Sequence, residues 1–383
     1  MRKLRVLPAL VLLLTALLPR AAAVELDIGG KSAVLMEAST GTVLYEKNAH
    51  EKLAPASVTK VMTLLLIMEA IDSGKIRWED TVTASEAAAA KGGSQVYLKV
   101  GETMSVSDMV KSIAVSSAND CACAMAEHLA GSESAFVELM NARAKELGMA
   151  DTNFVNCTGL DDGPDGENHR TSAGDIAIMS RQLLVEHPDI KKYTTIWMDT
   201  IRDGAFGLSN TNKLIRFYSG ATGLKTGFTS GAGYCLSATA QREGMELIAV
   251  VMGCETSNIR TAACKAMLDY GFANYAVVTP QPGEAARVPV YLGSEETVEA
   301  VPGGESCLLI DKALKSGVSI SLELPESVPA PVSPGQELGT MVVRSGEQEL
   351  ARIPLVAAGE VRRLTWGQLI GQVLRAVSMA KAG

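Results

Sequence analysis

The sequence predicts an α/β fold: a domain built on an antiparallel sheet flanked by helices, followed by a small all-β domain and a C-terminal amphipathic helix. Three observations carry this. Strand-like alternation opens the first segment, helical patterns follow, and two further strand runs close it, an order that suits an α/β layer on an antiparallel sheet. Beyond position 278, Pro280, Pro282, Pro302, Pro325, Pro329, Pro331 and Pro334 punctuate short alternating runs. After Glu360 there is no acidic residue, and apolar side chains recur at helical spacing. The 383 residues, at roughly 150 per domain, allow two or three domains, and 47% apolar composition excludes a disordered chain. Forty-three acidic against 35 basic side chains give a net charge of -8, a poor match for a phosphate backbone, so nucleic acid is excluded as a partner.

Residues 1–23 read as an export signal. Arg2, Lys3 and Arg5 precede an apolar run from Val6 to Leu18, and Ala21-Ala22-Ala23 supplies a small-residue cleavage site. The run falls short of the ~20 residues a membrane span needs, and Pro8 interrupts it. The expected location is therefore the outer face of the cytoplasmic membrane or the cell wall. Seven cysteines at 121, 123, 157, 235, 254, 264 and 307 are too few and too irregular for a disulfide scaffold, and are expected as packed free thiols.

The α/β domain is expected over 24–277. From Lys31 the chain alternates through Val34 and Met36, turns at Ser39-Thr40-Gly41 and returns through Val43 and Tyr45, a hairpin. A helix starts near Ser57. Its run through Val58, Met62, Leu64, Leu65, Ile67 and Met68 is apolar on nearly every side, which predicts a buried central helix. Further helices are expected after Ser107 and after Ser132, the latter ended by Gly148, with the break Ser116-Ser117-Ala118-Asn119 between them. Ser172 and Asp175 form a candidate capping pair for another helix, and the polar loop from Asp161 to Asn168 before it reads as structural. Strands are expected at Tyr234 to Ala240 and Glu246 to Met252, joined by Arg242-Glu243-Gly244. The small β domain is expected over 278–358. Residues 359–383, with Trp366, Leu369, Ile370, Val373, Leu374 and Val377 beside Arg362, Arg363, Arg375 and Lys381, read as a basic helix for a membrane surface.

Three short motifs could do chemistry. Ser57-Val58-Thr59-Lys60 sets a hydroxyl and an amine one helical turn apart on one face. Burial and a second nearby cation both depress an ammonium pKa, which would let Lys60 take the Ser57 proton. Ser117-Ala118-Asn119 offers a hydroxyl and a carboxamide, or equally a helix cap. Lys225-Thr226-Gly227 sits where a strand is expected to begin. Each motif alone is weak: Ser378 to Lys381 copies the first, and Lys315-Ser316-Gly317 nearly copies the third. Their order within one α/β domain is stronger, because this trio marks class A β-lactamases and penicillin-binding proteins.

Together with Leu53-Ala54-Pro55-Ala56-Ser57, Gly92-Gly93-Ser94-Gln95 and Gly223 to Thr229, the trio resembles low-molecular-mass penicillin-binding proteins, the serine D-alanyl-D-alanine carboxypeptidases of the penicillin-binding protein 5 type. The resemblance runs from about Lys31 to Gly383. It implies a transpeptidase/β-lactamase-like domain, peptidoglycan pentapeptide stems as substrate, β-lactam antibiotics as covalent inhibitors, and no cofactor or metal. It implies Ser57 as nucleophile, Lys60 as its base, Ser117 as proton relay to the departing D-alanine, and Asn119 as holder of the substrate amide carbonyl. Lys225, Thr226 and Thr229 would receive the terminal carboxylate, with Gly227 in the same strand. The backbone N–H groups of Ser57 and Phe228 would form the oxyanion hole.

Two departures from the family pattern stand out. Ala118 replaces a frequent glycine, which the loop accepts if φ there is negative. Some relatives carry an arginine near Gly253-Cys254-Glu255; this chain has Glu255 there and Arg260 further on, with no role assigned. A β-lactamase would need a dedicated carboxylate for deacylation, and no Glu-x-x-Leu-Asn segment occurs. Endopeptidase or transpeptidase chemistry, and a non-enzymatic wall-binding scaffold, remain open at this point. His50, His128, His169 and His187 show no metal-type or Ser-His-Asp spacing and read as packed or solvated.

Overall fold

The computed structural model describes residues 26–161, 165–283, 286–304 and 306–371. The export signal and the tail beyond 371 lie outside the described residues. The hairpin β1 (Ser32–Glu37) and β2 (Val43–Lys47) joins a five-stranded antiparallel sheet with β3 (Ala221–Thr229), β4 (Gly233–Arg242) and β5 (Met245–Cys254), in the order β2-β1-β5-β4-β3. Every residue of β1 is buried, because the sheet is covered on both faces. Val34 and Met36 point into a helical core and Ala33 and Leu35 into a second core on the other side. That alternation explains why the central strands read as near-continuous apolar runs.

The helical face is organised around α1 (Lys60–Asp72), which follows a 3-10 turn at Ala56–Thr59 and is buried on almost all sides. Around it pack α2 (Val106–Ser116), α3 (Asn119–Ala130), α4 (Glu133–Glu146) and α5 (Ala173–Glu186). Serine caps start three of them. Ser105 Oγ accepts from Asp108 N at 3.1 Å, Ser132 Oγ from Ala135 N at 3.1 Å and Ser172 Oγ from Asp175 N at 3.2 Å. Two expectations shift here. Helix α2 starts at Val106 on Ser105, not after Ser107. The Ser172/Asp175 capping pair is only half formed, because the Asp175 carboxylate accepts from Asp151 N and Thr152 Oγ1 instead.

The other face of the sheet is covered by α6 (Ser257–Asn274), a helix the sequence reading passes over. Strand β6 (Tyr275–Val278) leaves it and pairs antiparallel with Leu308–Asp311. The small domain is a six-stranded sheet around its own core, including Val288, Ala300, Met341, Val343 and Leu355, and two of its strands, Glu337–Ser345 and Gln348–Ala357, are longer than the short runs expected. It runs past the expected boundary at 358: Val361 is buried in this core and bridges Val332, and Arg363 bridges Gly293. The domains touch where Lys312 Nζ donates to Phe272 O at 2.8 Å and Ser39 Oγ meets Cys307 Sγ at 3.1 Å. All seven cysteines are free, and all but Cys307 are buried.

Candidate active site

Burial of α1 puts a lysine in the middle of the protein. Lys60 is fully buried, and its Nζ donates to Ser57 Oγ at 2.9 Å and to Thr158 O at 2.8 Å. Desolvation pushes its pKa down to about 7, so the neutral amine is accessible at physiological pH. The turn that carries Ser57 begins at Ala56, a buried non-glycine residue at φ +48°.

Strand β3 runs directly against this turn. A Cβ on Gly227 would lie 2.7 Å from Pro55 O and 3.1 Å from Ser57 N, so only glycine lets the strand approach the serine so closely. Lys225 is buried in the same strand, with Nζ donating to Thr226 O at 2.9 Å. Its pKa is well below the ordinary lysine value, first through burial, then through the charges of Lys60 and Arg260. Thr226 Oγ1 is 2.6 Å from Thr211 Oγ1. Phe228 is 53% exposed and lies on the Tyr234 ring, leaving its main chain beside the serine turn.

The third wall is the junction of α2 and α3. Ser117 takes the left-handed conformation that ends α2, φ +64°, and Asn119 is the first residue of α3. Both are buried, and Ser117 Oγ and Asn119 Oδ1 have no hydrogen-bond partner among the described residues. Orphaned polar atoms of this kind await a ligand or a water. The Asn119 amide is fixed by donation from Nδ2 to Gly92 O and from its backbone N to Ser94 O, both at 2.7 Å. Asp120 extends the clamp, its carboxylate accepting from Val96 N and Leu98 N.

Sequence similarity now bears on this geometry. Residues 19–256 match the family model for D-alanyl-D-alanine carboxypeptidase, and residues 280–363 match the C-terminal domain of penicillin-binding protein 5. The chain belongs to peptidase family S11, the D-alanyl-D-alanine carboxypeptidases. The D-alanyl-D-alanine carboxypeptidase DacF of Bacillus subtilis is 44% identical over 345 residues, 88% of this chain and 87% of that protein. Penicillin-binding protein 5 from Haemophilus influenzae superposes with a TM-score of 0.73 at 30% identity, covering 89% of this chain and 100% of that one. Penicillin-binding protein D2 from Listeria monocytogenes, solved in its ampicillin-bound form, gives 0.59 at 32% identity over 65% of this chain and 99% of its own.

In this carboxypeptidase the first and third motifs meet at the Ser57 turn, where Gly227 packs on Pro55 and Ser57, and the second lies at the α2–α3 junction on the same helical side of the sheet. Lys225 lies in mid-strand rather than at a strand start, because β3 already begins at Ala221, just after the turn at Gly220. Ala118 has φ -58°, so alanine fits the loop without strain, and the helix start at Asn119 has no side-chain cap. Arg260 lies under β3, where NH1 donates to Gly227 O at 3.3 Å and to Cys235 O at 3.4 Å. The loop that begins at Asp161 reaches the site strand: Thr229 Oγ1 donates to Asp161 Oδ2 at 2.6 Å and accepts from Ala232 N at 3.0 Å. Sequence reasoning also missed Thr211 and Gly159. Gly159 carried a signal, since glycine is the default at φ +87°, whereas Thr211 carried none. Among the described residues no group of three or more His, Cys, Asp or Glu side chains is arranged to hold a metal ion.

Proposed function

We propose that this D-alanyl-D-alanine carboxypeptidase works through an ester on Ser57. Neutral Lys60 takes the hydroxyl proton as Ser57 Oγ attacks the carbonyl of the penultimate D-alanine in a peptidoglycan pentapeptide stem. The developing oxyanion is received by the backbone N–H groups of Ser57 and Phe228. The Ser117 hydroxyl passes a proton to the departing D-alanine, and water then hydrolyses the ester. The free N–H of the Asn119 amide holds the substrate's amide carbonyl. Lys225, whose charge the incoming anion restores, and the hydroxyl of Thr226 receive the chain-end carboxylate. Thr229 joins them only after releasing Asp161, because its single proton is already engaged there.

The observation that carries this reading is the 2.9 Å contact between Ser57 and a desolvated lysine. β-Lactams, whose amide is presented to the same serine, are the expected covalent inhibitors. The test is labelling with a fluorescent penicillin together with D-alanine release from a D-Ala-D-Ala peptide. Wild type forms a stable adduct and Ser57→Ala forms none; a Ser57→Ala protein that labels or releases D-alanine at the wild-type rate sinks the reading.

Its substrate lies outside the cytoplasm, which fits an exported enzyme with an export signal over 1–23. The tail is proposed to hold it on the membrane surface. Its onset supports this: Thr365 and Gln368 form a reciprocal cap, with Trp366 82% and Ile370 57% exposed just after.

A further inference from the structure

His169 is buried and belongs to no step above, yet it touches the nucleophile turn. Its Nδ1 accepts from Val155 N at 3.0 Å. A ring nitrogen that accepts a backbone N–H carries no proton, so the proton of the neutral ring sits on Nε2. Nε2 lies 2.7 Å from Thr59 Oγ1, and the Thr59 hydroxyl in turn donates to Ala56 O at 2.9 Å. The polarity of the chain is thereby fixed from Val155 to the carbonyl of Ala56.

Ala56 is the strained residue immediately before Ser57, and a positive φ at a non-glycine position persists only where the surroundings over-determine it. The surroundings here are close. A Cβ on Gly159 would fall 1.8 Å from Ala56 O and 2.8 Å from Thr59 Oγ1, while Gly227 presses on the opposite side of the turn. The same 155–160 segment supplies Thr158 O to Lys60. Segment, turn and lysine are therefore one unit, and the imidazole is the tie between them. Burial, aided by Arg170 and Lys60 and opposed by Asp161, pushes the His169 pKa down to about 4, so the tie stays neutral in the working range.

We propose that His169 is a positioning residue for catalysis: through Thr59 and the Ala56 carbonyl it fixes Ser57 relative to Lys60 and to the oxyanion donors. This rests on the reading of Ser57 as nucleophile. The experiment uses the full chain and separates penicillin binding (Kd) from the acylation rate constant, with thermal unfolding alongside. His169→Phe keeps the ring packed near Phe154 but removes both nitrogens. It is expected to slow acylation roughly 10- to 100-fold with Kd changed by less than about threefold. Thr59→Val does the same, and Thr59→Ser restores the rate. The double variant is no slower than the worse single one, because the groups act as one chain. Acylation in Thr59→Val within about twofold of wild type overturns the proposal even if His169→Phe does not fold. So does a loss in Thr59→Val that Thr59→Ser fails to restore. A wild-type enzyme that does not label at all would instead indict the nucleophile assignment.

Discussion

Lys60 has two hydrogen-bond acceptors, Ser57 Oγ and Thr158 O, and forms no ion pair among the described residues. Burial with no carboxylate in ion-pair contact, and only the charges of Cys157 and Asp120 opposing it, is the arrangement that frees an amine for base work. Because the proposed base must be neutral, penicillin acylation is expected to climb with pH through a midpoint near 7, the value to which burial brings Lys60. Stability follows the same sign: with the folded pKa below the unfolded one, the unfolded chain binds more protons between them, and stability rises with pH across that window. Lys60→Arg keeps a cation that cannot deprotonate and should lose acylation by about 10²- to 10⁴-fold. A midpoint above pH 9, or an active Lys60→Arg, would remove Lys60 from the role of base. Neighbouring positions in β3 make a sharper contrast. Gly227→Ala drives a methyl to 2.7 Å from Pro55 O, and is expected to cost about 1–3 kcal/mol and abolish labelling. Phe228→Ala removes an exposed side chain and leaves the backbone N–H proposed for the oxyanion hole, and should label within about threefold of wild type. Equal effects of the two substitutions would remove the main-chain oxyanion hole from the mechanism.

At the scale of elements, what could be read in advance was what local chemistry dictates. The run of α1, apolar on nearly every side, reads as a buried helix, and Ser132 and Gly148 bracket α4 by capping rules, with Gly148 at φ +76°. Ser132→Ala should therefore lower stability by ~1 kcal/mol in thermal unfolding while leaving the acylation rate of folded protein unchanged. A matching fall in that rate would mean that α4 is coupled to the site. Helix α6 escaped because its buried stripe, Arg260, Ala263, Cys264, Met267, Leu268, Gly271 and Phe272, is diluted by small residues, giving a weak periodic signal despite correct spacing. The site followed the same division. Ser57, Lys60, Ser117, Asn119 and Lys225 lie in motifs with local spacing. Asp161, Thr211 and His169 act through contacts spanning 68, 15 and 110 residues, and no local pattern announces a partner that tertiary packing selects.

For the whole molecule, the central sheet divides the first domain into two cores, and the site lies on the helical side, where α1, β3 and the α2–α3 junction meet. The small domain hangs from the opposite side through β6, which directly continues α6. It can thus space the site from whatever its far end rests on without entering the chemistry. That end is tied in by Ser294 N donating to Arg362 O at 2.7 Å and Leu364 N to Leu292 O at 2.9 Å, so the tail proper starts only at Thr365. Two truncations separate the proposed anchor from the fold. A chain ending at Leu364 keeps the small domain intact, and is expected to lose binding to anionic vesicles while acylating with penicillin as fast as the full protein. A chain ending at Glu360 also loses buried Val361 and its bridge to Val332, which should cost about 1.5–3 kcal/mol in the unfolding of the small domain. Vesicle sedimentation and thermal unfolding read the two effects independently. Unchanged sedimentation of the chain ending at Leu364 would mean that the tail is not the anchor and that the membrane contact, if there is one, lies elsewhere on the molecule.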